Sequence, residues 1–169
     1  MTSLLERLYG YHAWANDDLF AKLDRVEAEP HAEAFVSILR LISHAHVVAR
    51  IFAGHLEGIP HGYTSDNLEE TPGLAELRRD VAAIDAWYLT YVRTVSPETL
   101  AEAVPFAFTD GDAGRMTREE MLTHVALHAG YHRGEAGRLL RQIGAPLPWD
   151  TFAVYLHQAE PGRRGWLGR

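Results

Sequence analysis

Three histidines recur at intervals of four residues in the stretch HVALHAGYHRGE, at His124, His128 and His132. Residues four apart on a helix project from successive turns of one side, so two of these imidazoles can converge on one metal ion. An HxxxH pair is a weak signal in a chain with ten histidines, because a buried histidine often simply bonds a polar group of a neighbouring helix. The spacing therefore predicts either a metal site or a polar contact between helices.

The apolar residues of this segment indicate which histidines face the core. They recur at helical intervals and comprise Met121, Val125, Ala136, Leu139 and Ile143. His128 and His132 fill the gap in this stripe, whereas His124 lies roughly 80° from its centre at about 100° per residue. Burying two imidazoles is costly unless their nitrogens find partners, and one cation would supply a partner to both. The pattern favours His128 and His132 as the inward pair and places His124 on the flank.

A third ligand must come from another helix, and the segment SHAH offers two histidines. His44 and His46 lie on nearly opposite sides of that helix. His46 is closer to the centre of the long apolar stripe, whereas His44 has Leu41, Val48 and Ile51 as helix neighbours. Periodicity leaves the choice between His44 and His46 open.

Four long segments with apolar residues at intervals of three and four predict the helices that position these side chains. They cover about residues 3–26, 31–58, 74–95 and 117–144. Thr117 and Glu120 form a capping-box pattern that opens the fourth helix, and Gly144 closes it. Helices that each bury one face predict an all-α four-helix bundle, whose interior polar residues can build a metal site.

Shorter elements are expected around the fourth helix. The segment AVPFAFTDGDAGRM has β-prone runs on either side of TDGD and predicts a short β-hairpin before it. Asp150 is a suitable N-cap for a short C-terminal helix that extends to about Gln158. Residues 1–160 are expected to form a single domain, followed by a basic tail over residues 161–169.

Composition excludes several classes of protein. A formal net charge of −7 argues against general nucleic-acid binding, which needs clustered Lys and Arg. The absence of cysteine excludes disulfides, thiolate metal sites and cysteine nucleophiles. The N-terminal segment is amphipathic and carries acidic residues, unlike a signal peptide. The sequence predicts no membrane-spanning segment and a cytoplasmic protein.

Taken together, these segments resemble the DinB-like, or YfiT-like, family of four-helix-bundle metalloproteins. The strings that carry the resemblance are YHAWAND in the first helix, SHAHVVARIFAGHLEG in the second and HVALHAGYHRGEAGRLLRQIGAPLPWDTFAVYL in the fourth. They cover nearly the whole chain in the family's order. The resemblance implies an up-down-down-up four-helix bundle, with the short β-hairpin before the fourth helix and the short C-terminal helix.

The resemblance also implies a ligand set, because one histidine of the second helix and two of the fourth hold a divalent metal in that family. His44 matches the second-helix ligand since Arg50 follows it by six residues, and His128 and His132 match the other two. Glu135 stands where the family commonly has Gln, and His55 where a basic residue is frequent.

Two expectations concern the surroundings of this site. Glu135 can approach it, since it lies three residues after His132, but an ion pair with Arg133 or Arg138 is favoured. The candidates to orient the imidazole rings are Asn16, Asp17 and Asp150, each of which also suits a cap or a surface polar position.

A site of three imidazoles suits zinc or nickel, with iron and manganese as alternatives, better than calcium or magnesium. Three protein ligands leave a position open to water or substrate, as catalytic sites do. The first hypothesis is a metal-dependent enzyme for a small molecule, a hydrolase or, as the resemblance implies for some relatives, a thiol-dependent transferase. The second is a non-enzymatic, stress-related metal-binding bundle. A homodimer is expected, because bundles of this size often pair.

Overall fold

The computed structural model describes residues 3–165 and consists of four long helices with short elements between and after them. The long helices are α1 (Leu4–Leu23), α2 (Ala32–Glu57), α3 (Leu74–Thr94) and α5 (Arg118–Gln142). The short elements are α4 (Pro97–Leu100), β1 (Ala103–Ala107), β2 (Ala113–Thr117), α6 (Phe152–Ala159) and 3-10 turns at Glu29–His31 and Pro161–Arg163. The predicted all-α bundle with a small hairpin is confirmed. Residues 166–169 of the predicted basic tail lie outside the described residues.

Hydrogen bonds between the helices fix their directions as up, down, down and up. The pairs are Tyr9–Leu122 and Asn16–Arg133 between α1 and α5, Arg40–Thr71 and Ala49–Tyr88 between α2 and the α3 side, and Asp24–Arg78 and Asn16–Asp85 between α1 and α3. Between α1 and α5, and between α2 and the α3 side, the residue numbers of both partners increase in the same direction. Between α1 and α3, the numbers of one helix increase as those of the other decrease. Thus α1 is parallel to α5, and α2 to α3. The parallel α2–α3 pair requires the long connection over residues 58–73.

The helix ends carry the signals expected from the sequence. Ser3 and Glu6 form a reciprocal capping box at the start of α1, and Thr117 and Glu120 form another at the start of α5. Each box satisfies two backbone N–H groups that have no partner within the helix. Gly144 follows α5 with φ of 71°, a left-handed conformation that glycine adopts without strain.

Two apolar clusters fill the bundle, one toward each end. The first includes Tyr9, Phe52, Tyr88 and Met121, and the second includes Leu19, Phe20, Ile38, Leu77 and Leu140. Between them, each long helix contributes polar side chains. This mid-bundle polar layer is where the candidate site lies.

The hairpin lies across one end of α2. β1 and β2 pair antiparallel, with Phe106 opposite Gly114, and the turn at residues 108–112 contains the predicted TDGD. Arg118, directly after β2, donates to the backbone carbonyl of Leu56 at 2.5 Å. This contact ties the hairpin and the start of α5 to the end of α2.

One local prediction was wrong. Asp150 does not cap α6: the cap residue is Thr151, and no side-chain cap hydrogen bond is present there. Its carboxylate instead binds the buried guanidinium of Arg133, a stronger partner than an orphan amide. The segment SPE at residues 96–98 follows α3 and opens the single turn α4, where Ser96 accepts from the Thr99 amide.

The segment Glu29–Glu57 is long and apolar enough to span a membrane by length and composition alone, with a mean hydropathy of 1.4 over its best window. The sequence was not expected to contain such a segment. Half of that window is buried inside the bundle. The central helix of a soluble domain passes the same test, so the apolar character of α2 is explained by its place in the core.

Candidate metal centre

Three imidazoles from α2 and α5 meet in the mid-bundle polar layer. The Nε2 atom of His128 lies 3.2 Å from Nε2 of His44 and 3.2 Å from Nε2 of His132. One nitrogen from each ring lies within 4.8 Å of the other two, and no other such group of His, Asp and Glu occurs within residues 3–165. The structure therefore brings together His44, His128 and His132, the three histidines selected from the sequence. These three residues are called the metal group below.

The outer nitrogens of two rings are held by hydrogen bonds. Nδ1 of His44 donates to the backbone carbonyl of Asp66 at 3.0 Å, in the loop between α2 and α3. Nδ1 of His132 donates to the carboxylate of Glu135 at 2.7 Å, one turn along α5. Carbonyl and carboxylate oxygens accept, so each Nδ1 carries a hydrogen. In the neutral rings, Nε2 of His44 and of His132 therefore presents a lone pair to the centre of the group.

These three nitrogens cannot satisfy one another. Nε2 of His128 faces two lone pairs and can donate at most one hydrogen, so at least one contact joins two acceptors. Burial and the neighbouring His132 and His44 lower the pKa of His128 to about 4, so this ring is neutral near pH 7. A cation bound by all three nitrogens removes this conflict.

The spacing of the nitrogens also fits a metal. Two imidazole ligands on a tetrahedral zinc are roughly 3.3 Å apart, given Zn–N bonds of about 2.0–2.1 Å. The two contacts of 3.2 Å at His128 match this spacing. The donor set is neutral nitrogen only, which suits a divalent transition metal. The residues present therefore fit a divalent metal site.

The buried face of α5 differs from the predicted stripe. Its fully buried positions run through Ala129, Arg133 and Leu140, and the two histidines lie half-buried at the edge of this face, toward α2. The stripe expected from the sequence placed His132 near its centre, because a buried arginine was not anticipated there. Edge positions suit ligands better, since they face both a partner helix and a pocket.

The remaining histidines of these two helices have other surroundings. His46 points into the bundle, where its Nδ1 is buried without a hydrogen-bond partner among the described residues, and burial lowers its pKa. His124 stacks on His128 with ring centroids 5.4 Å apart and also contacts Phe52. His124 thus lies beside the group and not within it. The structure separates His44 from His46, which periodicity could not do.

Asn16 and Asp150, which were expected to orient the histidine rings, instead bind Arg133. Arg133, only 4% exposed, pairs with Asp150 on one side and donates to Asn16 and His12 on the other. Asn16 in turn donates to Asp85 at 2.9 Å. This network joins α1, α3, α5 and the segment before α6, next to the metal group but without a hydrogen bond to it in residues 3–165.

Asp17 is exposed on the surface of α1. The groups that do hold the rings are the Asp66 carbonyl and Glu135. A backbone carbonyl has no sequence signature, and Glu135 was expected to pair mainly with arginine.

A small cavity of about 20 Å³ lies between this network and His132. Nδ1 of His46 and Oδ1 of Asp85 are buried in this region without well-aligned hydrogen bonds among residues 3–165, although His12 Nε2 lies 3.1 Å from that oxygen. A space of this size accommodates one water.

A larger pocket of about 190 Å³ opens on the other side of the metal group. His44 and His128 form part of its floor, and Phe52 of α2 and Phe106 of β1 stand beside them. Phe108, at the hairpin turn, is 50% exposed and lies at its mouth. The metal group is therefore accessible from solvent through a pocket between α2, α5 and the hairpin.

Comparison with known proteins identifies the family of this chain. Residues 1–164 match the family model of the DinB family. Among curated proteins, the chain is 26% identical to Protein DinB of Bacillus subtilis (strain 168) over 170 aligned positions, which cover 92% of this chain and 95% of the relative. Because the family match extends over almost the entire chain, this protein belongs to the DinB family.

Proposed function

We propose that this protein is a metal-dependent enzyme that acts on a small molecule, with the metal held by His44, His128 and His132. The observation that carries the proposal is the convergence of three Nε2 atoms beside an open pocket, whose lining includes His44 and His128. A site meant only to store or stabilise a metal is normally closed by a fourth protein ligand. Here one side of the group faces the pocket, where a substrate can enter.

The chain's own residues would prepare this site. Asp66 and Glu135 fix the hydrogen of His44 and His132 on Nδ1, so that both Nε2 atoms are free to bind. The Glu135 carboxylate also makes Nε2 of His132 a more basic, stronger metal ligand. A divalent metal in this position supplies Lewis acidity toward a substrate oxygen or sulfur. The aromatic side chains of Phe52 and Phe106 line the space above it.

Metal content of purified variants tests the ligand assignment. After incubation with zinc or nickel and removal of excess metal, the wild-type protein should contain one equivalent by elemental analysis. His44→Ala, His128→Ala and His132→Ala should each lose most of it. His124→Ala is the matched control, since it lies one turn before His128 on α5 and outside the group. Full metal content in the three variants, with folding verified by circular dichroism, would overturn the assignment.

Two reactions separate the enzymatic classes. In the first, water hydrolyses para-nitrophenyl acetate to acetate and para-nitrophenol. In the second, a thiol such as glutathione attacks chlorodinitrobenzene, a C–S bond forms, chloride leaves and the thiol proton passes to solvent. Turnover that requires both the metal and His128 in either assay supports the enzyme. A fully loaded protein that is inactive toward both and toward wider substrate panels supports the non-enzymatic, stress-related metal-binding alternative.

A further inference from the structure

The pocket above the metal group has a distinctly apolar lining. Val48, Ile51 and Phe52 of α2 form one wall, and Phe106 and Phe108 of the hairpin form another. Phe106 contacts Phe52 with ring centroids 5.8 Å apart and Phe108 with centroids 4.9 Å apart. A substrate in this space would lie against aromatic and aliphatic carbon on two sides.

Charge on the lining is sparse. None of the described residues that line the pocket is Lys or Arg, and the one carboxylate, Asp66, is half exposed at its edge. The remaining polar side chains are imidazoles and Thr109. Away from the floor, where the proposed metal would lie, an anionic group would find no cationic side chain to replace its hydration, and burying an unpaired charge is costly.

The volume limits the size of the substrate. An apolar cavity of about 150 Å³ binds benzene in a well-studied case from another protein. The pocket here measures about 190 Å³. It thus holds a body about as large as one six-membered ring, together with a small group that reaches the floor.

We infer that the substrate is a small molecule with an uncharged, apolar body about the size of one aromatic ring and one polar group directed at the histidine floor. This inference rests on the proposed function and specifies the class of substrate for the same site. The apolar body lies between Phe52 and Phe106, and the polar group lies at His44 and His128.

Phe106 sets the width of this space, and Gly114 sets the position of Phe106. The two residues face each other across the hairpin. A Cβ atom at Gly114 would lie 2.5 Å from Cζ of Phe106, so the ring covers the glycine closely. The ring also contacts Phe52 and His55 of α2, with ring centroids 5.8 Å and 5.0 Å away. A methyl group at position 114 would therefore push the ring toward α2 and narrow the pocket.

Three hydroxamic acids test the inference, because they share one metal-binding group and differ in the attached body. Acetohydroxamic acid carries a methyl group, benzohydroxamic acid an uncharged ring, and succinic monohydroxamic acid an anionic chain. Calorimetric titration of the zinc-loaded protein should give benzohydroxamic acid an affinity about tenfold or more above that of acetohydroxamic acid, since the ring is buried. The succinic compound should bind no more tightly than acetohydroxamic acid.

Variants then connect this preference to the pocket. Phe106→Ala and Gly114→Ala should each weaken benzohydroxamic acid by about fivefold or more, and change acetohydroxamic acid by less than about twofold. Leu127→Ala is the control, because this side chain is 66% exposed and lies outside the pocket lining. It should leave both affinities unchanged.

The titrations distinguish a wrong substrate class from a wrong metal site. If acetohydroxamic acid binds and the succinic compound binds more tightly than the benzo compound, the substrate class is wrong and the metal site stands. The same conclusion follows if Phe106→Ala and Gly114→Ala leave the preference for the ring intact. If the zinc-loaded protein binds none of the three, the open position is absent, and the proposed function fails together with the inference.

Discussion

Nδ1 of His132 donates to the Glu135 carboxylate at 2.7 Å, and this bond leaves Nε2 of His132 directed at His128. Glu135 would thus act on a bound metal through His132, whose ring it orients. The affinity of the site for a metal should therefore depend on the hydrogen bonds that hold the histidine rings.

Replacing Glu135 by Gln should weaken metal binding by about tenfold or more, since partners of metal-bound histidines typically contribute 10–100-fold. The amide keeps the shape of the side chain but loses its charge. Competition with a chromophoric chelator measures the change. Glu119→Gln, an exposed carboxylate in the first turn of the same helix, should have no effect. Equal affinities for both variants would mean that Glu135 does not support the site.

Replacing Arg133 by Met should lower the free energy of unfolding by about 2–3 kcal/mol, because the change leaves Asp150 and Asn16 without their buried partner. This loss of stability is smaller than for a fully buried ion pair, because the Asp150 side chain is 18% exposed. Urea denaturation monitored by circular dichroism measures it. Arg138→Met is the matched control on the exposed side of α5. A loss no greater than that of the control would contradict a structural role for the network.

The metal-free protein should lose stability as the pH falls from about 6.5 toward 4. Burial and neighbouring histidines lower the pKa of His128 to about 4, and burial also lowers the pKa of His46. Both have a pKa of about 6.5 in the unfolded chain. Between these values the unfolded state binds more protons, so stability is full above pH 6.5 and declines below it.

Urea midpoints measured from pH 7.5 to 4.5 in a chelating buffer would show this decline. The His128→Gln variant should have a shallower pH dependence in the same range. A midpoint that stays constant across the range in the wild-type protein would be inconsistent with neutral, buried histidines.

Zinc or nickel should raise the melting temperature of the wild-type protein, because a ligand that binds only the folded state stabilises it. The gain is about 2.7 kcal/mol when free metal exceeds the dissociation constant a hundredfold. Differential scanning calorimetry with and without a chelator measures the shift. His132→Ala should melt at the same temperature in both buffers, whereas His124→Ala should respond as the wild type does. A shift that persists in His132→Ala would place the metal elsewhere.

The sequence predicted the parts of the site that follow from local periodicity. The apolar stripe of the fourth helix favoured His128 and His132 over His124 as the inward pair, and the capping pattern at Thr117 correctly placed the start of the helix that carries them. His44 required the resemblance to a family, because its helix face is ambiguous.

The missed features depend on long-range contacts. The Asp66 carbonyl reaches His44 only after the loop over residues 58–73 folds back on α2. Arg133 is buried because Asp150, 17 positions further along the chain, returns to pair with it. Helical periodicity treats an arginine as a surface residue, so it could not identify this partner or the true centre of the buried face of α5.

The most direct test of the central claim is an anomalous diffraction experiment on crystals of the zinc-loaded protein, with data collected on both sides of the zinc absorption edge. The proposal predicts one strong difference peak within about 2.0–2.1 Å of Nε2 of His44, His128 and His132. A peak at any other set of side chains, or no peak in protein shown to contain zinc, would contradict it.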